Sequence, residues 1–245
     1  MNEGCLELKP TSCEQHYQQL HSKCRSIVDL SFSIQSSHSD NHNYASDLEE
    51  WVKILSLRPE AFLLKGALRE YQHALLAVAQ GQYRYAYAAL RLFFELSLRS
   101  VYFSAHELQL RLWLKGEQDI NWESLVGEDT GVFSKTFVGA HNEVLAGEAR
   151  DYNGVARLLY RECSEYVHGN AHTYESLPEE LEFREEVFLD WQEKAQTARL
   201  TVTFALCARY LAFLSKTDLL KLESTIIDEL GHIPAIRVFF DKAAE

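Results

Sequence analysis

The chain has 245 residues, 47% of them hydrophobic, which suits one larger domain or a core domain with appended helices. Its formal net charge of −12 argues against a broad surface for nucleic acid, because an acidic surface repels phosphate; RNA or DNA would need a local basic groove or a partner that supplies one. With only 11 glycines and 4 prolines, the composition argues against a sandwich, a loop-rich fold or a disordered protein.

The first part of the chain, residues 1–46, is polar and rich in His, Ser and Gln. A helix from about Glu14 to Leu30 fits its apolar spacing. The composition of residues 36–43 predicts a loop. Residues 46–49 have the capping-box pattern and predict the start of a short helix that runs to about Leu55 and is broken at Pro59.

Residues 60–115 have a strong helical pattern. Gly81 divides a long helical region, and a mixed, glycine-containing segment at residues 116–150 holds one or two short helices, including residues 121–125. A capped helix follows and ends at Gly169-Asn170, as glycine after a helix commonly indicates. The predicted helices from residue 60 onward, apart from the short ones, are 60–80, 82–115, 152–169, 179–215, 217–231 and a final one after Pro234.

These elements predict an all-α protein, since no strand pattern or internal repeat competes with the helical period. We expect the four longest helices to form an antiparallel four-helix bundle. The predicted organisation is an N-terminal helical extension (residues 1–58), the bundle (residues 59–215, with the insert 116–150) and a C-terminal helical extension (residues 216–245).

The cysteine pattern and the apolar segments predict where the protein resides. Five cysteines without regular spacing, in a chain of this size, are typical of a reduced cytosolic protein. No apolar segment follows the first residues as in a signal peptide, and no apolar run approaches the roughly 20 residues that span a bilayer. We therefore expect a soluble, cytoplasmic protein without a membrane partner. The cysteines are Cys5, Cys13, Cys24, Cys163 and Cys207.

The predicted helix 152–169 has a concentrated polar face opposite a wide apolar one. Arg161 and His168 are seven residues apart, almost two turns, so both side chains project from this face. A fixed cation beside a titratable imidazole can support phosphodiester chemistry. The alternative is an ordinary solvated face, because the helix dipole favours a histidine cation at a C-terminus. The polar face carries Arg157, Arg161, Ser164, Glu165 and His168.

Arg161, six further residues and His168, at the end of the third helix of an all-α bundle, resemble the signature of HEPN (higher eukaryotes and prokaryotes nucleotide-binding) domains. That signature is an Arg, four to six residues and a His. Residues 164–169, Ser-Glu-Tyr-Val-His-Gly, are also similar to the motif region of bacterial HEPN-like proteins. The resemblance covers roughly residues 60–215. Glu162 departs from it, because many catalytic members have Asn, Asp or His after the Arg.

The resemblance implies a metal-independent endoribonuclease without a cofactor. Such enzymes usually act as homodimers, with Arg and His of two protomers in one cleft, and often within phage-defence or toxin–antitoxin systems. Arg161 and His168 would be catalytic: the 2′-hydroxyl of RNA attacks the adjacent phosphate, His168 moves protons, and Arg161 stabilises the charge. Ser164 and Asn170 would orient these groups or contact phosphate. The partner would be an antitoxin or a defence-complex subunit.

The family also contains non-catalytic members, which gives the alternative function. In that interpretation the chain is a HEPN-like helical module that dimerises or binds a protein or nucleotide partner without cutting RNA. The acidic charge and Glu162 fit this alternative as well.

A second candidate set lies on the predicted helix 82–115. Arg91, Glu95 and Arg99 are four residues apart and share a face. They form either a surface row of salt bridges or a partly buried network that faces the Arg161/His168 pair, in which Glu95 positions Arg161.

Other patterns give weaker indications. The cysteines and histidines near the N-terminus match no standard zinc spacing, so we predict no metal site. His168 and His172 are four residues apart, a spacing that can bind a metal on a helix. We predict no metal pair there, because the helix is expected to end between them. The aromatic residues of the helix 82–115 are predicted to form core and interface rather than a surface that stacks on bases. The N-terminal set is Cys13, His16, His21 and Cys24.

Overall fold

The computed structural model describes residues 12–243, apart from the side chains of Gln35, His172 and Ala243. Every regular element within that range is helical, which confirms the predicted all-α class. Cys5 and the segment considered above for a signal peptide lie outside the described residues. None of the helices in the described range combines the length and apolar character needed to cross a bilayer.

Twelve α-helices follow one another in the described part of the chain, with short 3₁₀ turns after α1, α7 and α10. In chain order they are α1 Cys13–Ser31, α2 Gln35–Ile54, α3 Ala61–Ala79, α4 Tyr83–Phe103, α5 Glu107–Leu114, α6 Trp122–Leu125, α7 Lys135–His141, α8 Ala149–His168, α9 Ala171–Ser176, α10 Glu185–Tyr210, α11 Lys216–Leu230 and α12 Pro234–Ala243.

Helix α4 lies at the centre of the fold. It forms a hairpin with α3 and also packs against α8 and α10, while α2 packs on α3 and α11. Gly81 makes the hairpin turn with a φ of 72°, a left-handed conformation that glycine adopts without a steric penalty. A Cβ at this position would lie 2.9 Å from the carbonyl oxygen of Glu182, so the turn also accommodates the segment before α10.

The aromatic side chains of α4 form core, as predicted. Tyr87 and Phe93 are fully buried, and Tyr102 and Phe103 are nearly so. Tyr85 is the exception among them, since it is 69% exposed. The alternation of buried and exposed positions follows the helical period, which explains the aromatic spacing without a role in base stacking.

The predicted loop at residues 36–43 is wrong, and so is the predicted helix start at residues 46–49. Both segments lie inside the continuous helix α2. Asn41 is 2% exposed, donates to the carbonyl oxygen of Ser37 and accepts from the hydroxyl of Tyr71 at 2.7 Å. A polar residue therefore occupies a core position of this helix, because buried partners satisfy it.

The predicted helix 82–115 is divided in two at residues 104–106. There the Arg209 guanidinium donates to the hydroxyl oxygen (2.7 Å) and the carbonyl oxygen (3.3 Å) of Ser104. These contacts from α10 satisfy groups at the end of α4, where intrahelical partners run out.

The helix predicted to begin at residue 179 begins at Glu185 instead. The preceding backbone is held to α4 by Tyr83, whose hydroxyl accepts from the Arg184 amide (2.8 Å) and donates to the Arg184 carbonyl oxygen (3.2 Å). This segment is not helical, and the backbone of Arg184 is extended. The predictions for α3, α8, α11 and α12 agree with the structure within about three residues.

Candidate functional site

Helix α8 carries the Arg161/His168 pair and has a regular buried face. Its buried residues recur at alternating steps of three and four, as expected for one side of an α-helix. They pack toward α4 and α10. The buried residues are Ala149, Tyr152, Ala156, Leu159, Cys163 and Tyr166.

The end of α8 is fixed by a left-handed glycine. Gly169 has a φ of 64°, and both it and Asn170 donate their amides to the carbonyl oxygen of Glu165. This arrangement closes the helix immediately after His168, as the sequence predicts. The imidazole therefore lies in the last turn, near the negative end of the helix dipole.

Substitution of Gly169 tests whether this cap is needed. The left-handed conformation costs a non-glycine residue about 1–2 kcal/mol, so we expect Gly169→Ala to lower the free energy of unfolding by that amount. The matched control is Gly154→Ala in the interior of α8, where a new Cβ meets nothing within 4 Å. It should be neutral or stabilising by up to about 1 kcal/mol. Urea denaturation measures the free energy of unfolding of both variants. Equal effects of the two changes would contradict the role of Gly169 as the helix cap.

Arg84 of α4 holds the same end of α8 from the side. Its guanidinium donates to the carbonyl oxygen of Tyr166 at 2.5 Å and to the hydroxyl of Thr173 at 3.4 Å, and its Cζ lies 5.4 Å from the ring centre of Tyr174. Arg84 thus connects α4 to α8 and α9 and fixes the last turn in which His168 lies.

Arg161 and His168 are both exposed on the polar face of α8. Among the described residues neither is hydrogen-bonded or ion-paired to a neighbour, so both remain available to bind a ligand or a second protein chain. Glu162 lies to the side of this face, with its carboxylate 3.8 Å from the Lys194 ammonium of α10. Glu162, the residue that departs from the HEPN pattern, therefore forms an ion pair between α8 and α10.

Of the three candidate residues of α4, Glu95 and Arg99 form a partly buried ion pair, whereas Arg91 contacts α8. Glu95 and Arg99 are joined at 2.5 Å, with 18% and 15% of their side chains exposed. Arg99 also donates to the carbonyl oxygen of Ile120 at 3.1 Å. The Glu95 carboxylate thus binds Arg99, and in this conformation it does not position Arg161.

Arg91 contacts α8 through the residue before Arg161. Its guanidinium donates to the hydroxyl of Tyr160 and lies 4.6 Å from the ring centre, and Trp122 stacks on the same ring at a centroid distance of 3.8 Å. This layer joins α4, α6 and α8. Sequence analysis did not identify Tyr160, because its partner is 69 positions away.

Two of the three further candidates, Arg157 and Ser164, have structural partners. Arg157 donates to the Glu123 carboxylate (2.8 Å) and to the Val126 carbonyl oxygen (3.0 Å), so it attaches the α6 segment to α8. Ser164 donates its hydroxyl proton to the Tyr160 carbonyl oxygen, which leaves it able only to accept from a ligand. Asn170 is exposed, two residues after His168.

Behind the polar face, a partly buried cluster contains three groups whose pKa values are raised. Burial raises the pKa of the Cys163 thiol to about 12, so it stays protonated at neutral pH and is a poor nucleophile. Burial opposes the charged form of Lys194, but the hydrogen bond and charge of Asp190 outweigh it and raise the pKa of that ammonium. Tyr87 donates to the same carboxylate, and burial with this hydrogen bond raises its pKa. This cluster is structural.

The four N-terminal candidates lie on one continuous helix, α1; they are Cys13, His16, His21 and Cys24. Within residues 12–243, no three His, Cys, Asp or Glu side chains come together as metal ligands. The side chain of His172 is outside the described residues, so its relation to His168 is not part of this geometry.

The chain matches no family model, no curated protein and no solved structure. Function must therefore be inferred from its own residues, of which the exposed Arg161 and His168 on a rigidly held α8 form the best-defined candidate site.

Proposed function

We propose that this protein is a HEPN-type, metal-independent endoribonuclease that acts as a homodimer in a bacterial defence or toxin–antitoxin setting. In this proposal α3, α4, α8 and α10 are the four helices of the HEPN-like bundle. Arg161 and His168 of two copies line a common cleft, and the reaction needs no cofactor.

The observation that carries the proposal is the contrast between two sides of α8. The charged groups behind it are paired or buried: Arg91 with Tyr160, Glu95 with Arg99, and Lys194 with Asp190. Arg161 and His168 are instead exposed and without protein partners among the described residues. A cation and an imidazole left available on a fixed scaffold are suited to a ligand that carries negative charge.

The chemistry follows from these two side chains. One imidazole accepts the proton of the RNA 2′-hydroxyl, whose oxygen forms a bond to the adjacent phosphorus. The bond from phosphorus to the 5′-oxygen breaks, and the imidazolium of the second copy returns a proton to that leaving oxygen. Arg161 stabilises the added negative charge on the phosphate oxygens. The products are a 2′,3′-cyclic phosphate and a 5′-hydroxyl end.

The second candidate is a non-catalytic HEPN-like module that dimerises or binds a protein or nucleotide. Its supporting observation is that Arg161 and His168 are exposed in a single copy of the protein. Their neighbour Glu162 is instead paired with Lys194 of α10. A protein interface would use such free polar groups equally well. RNA cleavage distinguishes the two candidates.

The deciding experiment incubates the purified full-length protein with a mixed-sequence RNA in excess EDTA. We expect cleavage that persists in the chelator and leaves cyclic-phosphate ends, detected as new 3′ ends that resist ligation and whose phosphate a phosphatase removes only after acid has opened the ring. A matched DNA of the same sequence should stay intact, because it lacks the attacking 2′-hydroxyl. Intact RNA under these conditions would favour the binding module, and cleavage that EDTA abolishes would exclude the proposed mechanism.

A further inference from the structure

A second concave surface lies at the other end of α8. It is a cavity of about 570 Å³ between α7 and the first turns of α8. Three cationic side chains and two neutral polar ones border it, with one carboxylate. These residues are Lys135, Arg150, Arg157, Ser134, Asn153 and Glu128.

The cations of this cavity differ in how they are engaged. Lys135 and Arg150 are exposed and form no ion pair with another described residue. Arg157 is already bound to Glu123 and to the Val126 carbonyl oxygen, so it contributes charge but few free donors. In a chain of net charge −12, two unpaired cations beside one cavity form a local attraction for an anion that the whole surface does not offer.

Ser134, the residue before Lys135, supplies a third donor. It is 2% exposed, and its oxygen accepts from the Phe137 amide at 3.0 Å. Its hydroxyl proton has no acceptor among the described residues, although the side chain borders the cavity. A nearly buried hydroxyl with a free proton is suited to an acceptor that enters from the cavity.

We propose that this cavity binds a phosphate group, with Lys135 and Arg150 as the charged contacts and Ser134 as a neutral donor. Phosphate offers several strong acceptor oxygens in a tetrahedral arrangement, which fits donors that come from separate elements. The first turn of α8, which carries Arg150, adds the positive end of its helix dipole. The carboxylate of Glu128 repels an anion, so its removal is expected to strengthen phosphate binding.

The bound phosphate belongs either to RNA or to a small phosphate-bearing ligand. The position of the cavity allows these two sources to be distinguished. Arg150, Arg157, Arg161 and His168 recur at steps of seven, four and seven, so they share one face of α8. At a rise of 1.5 Å per residue, Arg150 lies about 27 Å from His168. An RNA strand that reaches both would rest on the proposed ribonuclease function; a small phosphate-bearing ligand would occupy the cavity alone.

The test measures binding of inorganic phosphate and of a short single-stranded RNA by calorimetry, with the full-length His168→Ala protein so that cleavage does not interfere. We expect Lys135→Ala and Arg150→Ala each to weaken phosphate binding about tenfold. Glu128→Gln should strengthen it about threefold, because a repelling charge is removed. Lys115→Ala is the control, since Lys115 is exposed, carries the same charge and does not border the cavity.

The RNA arm identifies the source. If the phosphate belongs to RNA, Lys135→Ala reduces the slope of log affinity against log salt by about one. If that slope is unchanged while phosphate binding falls, the ligand is a small phosphate compound. The proposal is overturned if neither ligand's affinity depends on Lys135 or Arg150. Absence of RNA cleavage by the wild-type protein, with phosphate binding intact, would contradict only the ribonuclease function.

Discussion

Replacement of His168 by alanine is expected to lower the rate of RNA cleavage by about 10²–10⁴-fold, the usual contribution of general acid–base catalysis. The imidazole is exposed on the same face of α8 as Arg161, while the thiol of Cys163 on the same helix is buried and protonated. Without the imidazole, water must accept and return the protons. The measurement is the initial rate of cleavage of a labelled RNA in EDTA.

The control for this change is His21→Ala. His21 is exposed on α1, far along the chain from the motif, and its loss should leave the rate unchanged. Arg161→Lys adds a second comparison, because lysine keeps the charge but loses the planar, bidentate guanidinium. We expect it to lower the rate as well. Full activity of His168→Ala in a protein that unfolds at the same temperature as the wild type would refute the catalytic role.

The fold class was predictable from sequence because most helices here have an apolar face at the helical period. Helix α2 is the instructive failure. Its buried positions include Asn41, which reads as a loop residue, although Tyr71 and Arg199 satisfy it within the core. When polar residues take core positions, the hydrophobic period disappears, and the composition then indicates a loop. The partners that reverse this indication lie 30 and 158 positions away.

Only the features of the candidate site that lie within one helix could be predicted from the sequence. The spacing of Arg161 and His168 places them on one face of α8, and the capping glycine marks where that helix ends. The contacts of Arg91 with Tyr160 and of Tyr87 with Asp190 depend on how α4 packs against α8 and α10. No local pattern carries that information, so the assignment of Glu95 to Arg161 could not be separated from its pairing with Arg99.

The largest expected effect on stability is at Arg199. This residue is 7% exposed, donates to the Asn41 side-chain oxygen and pairs with the Glu229 carboxylate at 3.2 Å. We expect Arg199→Met to lower the free energy of unfolding by about 3–5 kcal/mol, because it leaves a largely buried carboxylate without its cation. Arg111→Met is the control: its pair with Glu107 is exposed, and its loss should cost less than about 1 kcal/mol.

The pH dependence tests the cause of that loss. Burial already raises the pKa of Glu229 above its ordinary value in the folded wild type, against the lowering effect of Arg199. Removal of Arg199 raises it further, so the folded variant binds a proton more readily than the unfolded chain does, and the variant gains stability as pH falls toward the ordinary carboxyl range. Urea denaturation at neutral and mildly acidic pH should show that the difference in free energy of unfolding between the variant and the wild type becomes smaller as the pH falls. The double change Arg199→Met/Glu229→Gln should recover part of the loss at neutral pH. A gap independent of pH and not recovered by Glu229→Gln would assign the loss to packing rather than to the unpaired charge.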